Sequence, residues 1–100
     1  MATDSRSSRR FNLRLPVTLL RCGGQTVEQQ SETANVSSNG VLIRTSLDME
    51  IGAAVEYIVT LTPPIGARKT VQLHCLGKVV RRDESNGVAA TIDRYLFVRA

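Results

Sequence analysis

Three glycine-bearing turn signals, Gly23-Gly24, Asn39-Gly40 and Asn86-Gly87, punctuate this chain, and most of the runs between them alternate apolar with polar residues. No window of a dozen residues repeats its apolar positions at the helical period of roughly 3.6 residues. The fold is therefore built from short strands. Phe11, Leu13, Leu15, Val17 and Leu19 alternate with Asn12, Arg14, Pro16 and Thr18, which predicts a strand over Phe11 to Cys22 with Arg14 on its wet face. Pro16 marks an edge position or the true start of that strand, because proline donates nothing to a ladder.

Gln25 to Ser37 is polar, and its strand reading rests on its neighbours, whereas Val41 to Thr45 is a short apolar run with Arg44 facing outward. Leu47 to Ala53 reads as an irregular turn ending at Gly52. Val55, Tyr57, Val59 and Leu61 then alternate with Glu56, Ile58, Thr60 and Thr62, and Pro63-Pro64-Ile65-Gly66 closes that strand. Between Thr70 and Arg82 the apolar phase changes, from Val71, Leu73 and Cys75 to Leu76 and Val80, and Gly77 is the natural place for a bulge. Val88 to Val98 forms the last strand. Six strands at this spacing predict an all-β, small closed antiparallel barrel.

One hundred residues suit one domain with one modest core. Residues 1–9, rich in Ser and Arg, are expected to form a flexible basic arm, with a single domain over 10–100. The formal charge is +4, and Arg6, Arg9, Arg10 and Arg14 against Asp4 place +3 of it within the first fourteen residues. A charge so concentrated suits a compact anionic ligand better than a long nucleic acid, which is met by cations spread along a face. No run approaches the roughly 18 apolar residues of a membrane span, and the first residues lack the apolar core of a secretory signal, so a cytoplasmic location is expected. Cys22 and Cys75 have no metal-binding spacing and read as reduced thiols.

Enzymatic activity is not expected. His74 is the sole histidine, placed mid-strand beside no nucleophile motif, and neither a phosphate-binding glycine loop nor calcium-loop spacing occurs. Binding chemistry is better represented. In extended chain Arg10 and Arg14 share a face about 13 Å apart, and each planar guanidinium can fork onto phosphate or a guanine edge. Asn35 and Ser37, spaced by two, would put an amide and a hydroxyl on one face. Asn39-Gly40 tolerates the positive φ of a tight hairpin, and Gly40 permits close approach to the backbone.

Arg10-x-x-x-Arg14 followed by Asn35-x-Ser37-x-x-Gly40 resembles the paired RxxxR and [D/N]xSxxG motifs of the PilZ domain family. The likeness extends to Leu47–Gly52 and to Leu76–Arg81 with Gly87-Val88-Ala89, and so covers about residues 6 to 99. It implies a six-stranded barrel, here with little or no C-terminal helix, and cyclic di-GMP as ligand, with no cofactor. On that resemblance Arg10 and Arg14 hold guanine edges and phosphates, Asn35 reads a guanine edge, Ser37 bonds a phosphate or base, Gly40 keeps the turn open, and Arg9 adds a contact. The signal then passes to a downstream effector protein. Two alternatives remain: a PilZ-like adaptor that has lost nucleotide binding, and a small basic barrel binding single-stranded nucleic acid. The second needs exposed aromatic platforms, whereas Phe11, Tyr57, Tyr95 and Phe97 occupy strand positions that suit a core.

Overall fold

The computed structural model describes residues 11–61, 70–83 and 87–99, and among them the chain forms seven strands and no helix. These are β1 (Pro16–Cys22), β2 (Gln25–Val36), β3 (Gly40–Arg44), β4 (Ala54–Leu61), β5 (Val71–Asp83), β6 (Gly87–Thr91) and β7 (Arg94–Arg99). All pairings are antiparallel: β1 joins β2 and β4, β2 joins β3, β3 joins β6, and β5 joins β6 and β4, which closes a six-stranded barrel. β7 adds to β5 outside that ring. The Pro63–Gly66 turn, the Asn86 half of the last Asn-Gly turn and the 1–9 arm lie outside the described residues.

The expected last strand is one line broken in two. β6 pairs Gly87 with Asp83 and β7 pairs Arg94 with Leu76, so both run along the same edge of β5, interrupted at Ile92-Asp93. The first strand starts at Pro16, one of the two places expected for that proline. The residues before it are held by other means: Phe11 forms an isolated bridge to Val36.

Alternation builds the core. Val17 and Leu19 of β1, Val55, Tyr57 and Val59 of β4, and Cys75 and Val79 of β5 point inward and are buried. Each such side chain contributes about 1.5 to 3 kcal/mol of burial. Tyr57 is fully enclosed, and its hydroxyl donates to the Thr91 carbonyl at 2.8 Å. Burial pushes the Tyr57 phenol well above its ordinary range and the Cys75 thiol up to about 11. Both cysteines are free, and burial also raises Cys22.

The Leu47–Ala53 segment closes one barrel end. It buries Met49, and Gly52 N–H donates to the Val79 carbonyl at 2.7 Å while Val79 N–H donates to Ala53 at 3.0 Å. Asp48 reaches Arg82 at 3.0 Å, an exposed pair worth at most about 1 kcal/mol. Gly77 serves a different purpose from the one expected. The register shift in β5 falls between Val79 and Arg81, and Gly77 is required because a Cβ there would meet the Thr91 carbonyl oxygen at 1.8 Å. Of the four aromatic residues placed in the core by their strand positions, only Tyr57 is buried; Phe11, Tyr95 and Phe97 are exposed. Phe11 precedes β1 and the other two lie on β7, so no second layer covers them among the described residues.

Candidate functional site

Strict alternation would put Asn35 on the same face as Thr33, which is fully buried. A bulge prevents this. Thr33 pairs with Ile43 and Asn35 with Leu42, so the extra residue Ala34 turns Asn35 to the outer face. A second bulge acts likewise in β5, where Val79 pairs with Ala90 but Arg81 with Ala89. Val80 is the extra residue, and Arg81 turns outward. Asn35, Leu42, Ala89 and Arg81 thus form one outward row across β2, β3, β6 and β5.

Around this row lies a concavity of about 390 Å³, whose rim includes Ser37, Asn39, Gly40 and Thr91. Leu42 and Ala89 supply an apolar floor, Asn35 an amide at one side and Arg81 a cation at the other. Among the described residues its lining includes no carboxylate. The volume falls within the usual range for small-molecule pockets.

Ser37 reaches this concavity by a different route from strand alternation. β2 ends at Val36, and Ser37 sits in the turn, where its N–H donates to the Gly40 carbonyl at 2.9 Å. Its hydroxyl oxygen accepts from the N–H groups of Asn39 and Gly40, both at 3.2 Å. The turn is thereby tied to itself. Neither Asn39 nor Gly40 adopts the positive φ expected of a tight hairpin. Gly40 is needed for another reason: a Cβ would stand 2.5 Å from the Ala90 carbonyl oxygen, so the glycine admits strand β6.

The leader joins this corner at its root. Phe11 and Val36 exchange backbone hydrogen bonds of 2.8 and 2.9 Å, which seats the residue after Arg10 against the residue between Asn35 and Ser37. Thr33 fixes the next stretch: its hydroxyl donates to the Leu13 carbonyl and accepts from Leu15 N–H at 2.9 Å, and its own N–H donates to Leu15 at 2.9 Å. Arg14, held between these clamped neighbours, is exposed. Arg9 and Arg10 lie outside the described residues.

Arg44 does face outward, but it lines a separate shallow groove with Gln29, Gln30 and Glu32. His74 Nε2 stands 2.6 Å from Glu56 Oε2 on the outer barrel face. Its neighbour Cys75 faces the opposite way into the core, where burial holds the thiol protonated, so Cys75 is not a nucleophile for this pair. Among the described residues no group of three potential ligands could hold a metal ion, and no helix is long and apolar enough to cross a membrane.

Sequence reasoning missed Arg81 and Thr33. The phase break in β5 signalled that some residue beyond it would be re-aimed, but the break was placed at Gly77. Thr33 gave no signal, because its role depends on a tertiary contact with the leader.

The PilZ domain model matches residues 4–97, nearly the whole chain. The chain belongs to the PilZ domain family. Neither the curated proteins nor the solved structures yield a match. The PilZ domain is a module of cyclic di-GMP receptors and adaptors, and the closed six-stranded barrel with one outer strand agrees with it.

Proposed function

We propose that this PilZ domain is a non-catalytic, cytoplasmic receptor that binds cyclic di-GMP between its arginine leader and the Asn35–Gly40 corner, and relays occupancy to an effector protein. The observation that supports this most is the Phe11–Val36 bridge, which anchors the leader beside the corner. In this reading Arg10 and Arg14 hold phosphates and guanine edges, and Arg9 adds a contact. Asn35 reads a guanine edge with both donor and acceptor, Ser37 offers its hydroxyl, and Gly40 keeps the corner accessible. Arg81 faces the ligand from the far side of the concavity.

Calorimetric titration with cyclic di-GMP tests the assignment. Arg10→Ala and Arg14→Ala should each weaken binding by about 1 to 3 kcal/mol, the usual worth of a bidentate base contact. Affinity should also fall as salt rises, because exposed cation and phosphate contacts are screened. Equal affinities for the wild type and both variants would sink the site. Folded protein indifferent to the nucleotide would leave the adaptor reading in its place.

A further inference from the structure

Asn35, Leu42, Ala89 and Arg81 are successive partners across β2, β3, β6 and β5. Three inter-strand steps put the two polar ends of this row about 14 Å apart, with both side chains standing off the outer face. Between them the surface is low and apolar, since Leu42 is 5% exposed and Ala89 carries only a methyl group. The trough suits one flat base lying on its face, with Asn35 at one edge and Arg81 at the other. Arg81 is in the row only because of the bulge at Val80; unbroken alternation would turn it inward beside Val79.

The two ends differ in what they can refuse. Asn35 carries a carbonyl oxygen and an amino group, and rotation exchanges them, so its amide accepts guanine or adenine. Asparagine is in fact a standard partner of adenine N6 and N7. An amide alone therefore cannot exclude adenine. Arg81 carries donors only, in a fixed fork that matches O6 and N7 of guanine. Adenine has an N6 donor where guanine has O6, so the fork would meet donor with donor. Position matters as well as chemistry. Arg82, next along the strand, is bound to Asp48 at 3.0 Å, whereas no carboxylate lines the described part of the concavity. The leader is bridged to β2 at Val36, at the opposite end of the row from Arg81.

We propose that Arg81 is the base-selecting residue of the site: its guanidinium forks onto O6 and N7 of the guanine lying over Leu42 and Ala89, and so rejects an adenine that Asn35 would accept. This role rests on the proposed nucleotide site and adds to it a residue outside both sequence motifs. Calorimetric titration of the full-length protein with cyclic di-GMP and with its adenine counterpart, cyclic di-AMP, tests it. The wild type should prefer the guanine nucleotide, and Arg81→Ala should shrink that preference by about fivefold or more, weakening cyclic di-GMP and leaving cyclic di-AMP unchanged. Arg81→Lys keeps the charge but loses the fork, so it should shrink the preference as Arg81→Ala does. Adding Asn35→Asp to Arg81→Ala supplies an acceptor-only group that suits the N1 and N2 donors of guanine, and should restore the preference. Thermal melts of each variant report whether it is folded. Equal weakening of both nucleotides by Arg81→Ala, with recovery in Arg81→Lys, would overturn the proposal and make Arg81 a charge partner of phosphate, while the nucleotide site stands. A preference that neither variant alters, or a wild type that binds both nucleotides alike, would also overturn it. A folded wild type that binds neither would overturn the site itself, and base selection with it.

Discussion

β6 and β7 are two halves of one line of chain along β5, yet they live in different surroundings. β6 is flanked on both edges, by β3 and β5, and it buries Val88 and Ala90 while Ala89 floors the candidate site. Among the described residues β7 is flanked on one edge, and it exposes four large apolar residues in a row. Local sequence separates them by size, Gly87, Ala89 and Ala90 in β6 against Tyr95, Leu96 and Phe97 in β7, but does not say which of them is covered. What decides this is β3, whose pairing with β6 begins at Gly40 opposite Thr91 and leaves β7 beyond its end. The corner that borders the candidate site therefore also sets where the covered half stops and the open half starts.

The contrast is sharpest in its response to substitution. Gly77→Ala drives a Cβ into the Thr91 backbone at the end of β6, where no flexible side chain can yield. It should cost at least about 3 kcal/mol in urea denaturation, whereas Leu96→Ser on β7 should stay within about 0.5 kcal/mol. Comparable losses would erase the distinction. Thr33→Val strands the Leu13 carbonyl and Leu15 N–H and should cost about 2 kcal/mol. It should also weaken cyclic di-GMP binding without touching ligand, because Arg14 loses its clamp; unchanged affinity would show that the clamp is structural only.

Alkaline pH probes the interior that β5 shares with both halves. Burial raises the Cys75 thiol from 9.0 to about 11, so above pH 9 the unfolded chain releases this proton first and the folded state loses stability as pH rises. The loss should approach about 2 kcal/mol by pH 11, with Tyr57 adding in the same direction, and Cys75→Ala should remove the cysteine share. Stability that is level to pH 11 would contradict the burial argument. The smallest effect belongs to Arg81→Ala, which should weaken cyclic di-GMP by about 1 kcal/mol and leave thermal stability unchanged, since Arg81 is exposed. An unaltered titration would confine the site to the leader and corner.

Much of the barrel was legible in the chain because burial on one face of a strand writes a period of two, as in Val55 to Leu61. Gly23-Gly24 closes the β1–β2 hairpin as read. The bulges at Ala34 and Val80 were not placed, since each is defined by a partner strand far along the chain and leaves at most a break in phase. The reason for Gly77 was misread for the same cause, and at Gly40 the expected positive φ is absent while the expected close approach is made by the Ala90 carbonyl: a glycine demanded by a neighbouring carbonyl looks identical in sequence to one demanded by a turn. Placing Tyr95 and Phe97 in the core failed because alternation says which residues share a face, not whether anything covers that face.

Whether leader and corner make one nucleotide site is decided by an amide shift map of the full-length protein titrated with cyclic di-GMP. Perturbations are expected at Phe11 to Arg14, at Asn35 to Gly40 and at Ala89, reaching saturation together. Saturating nucleotide that leaves these amides in place, or that moves the Gln29 to Glu32 groove instead, would contradict it.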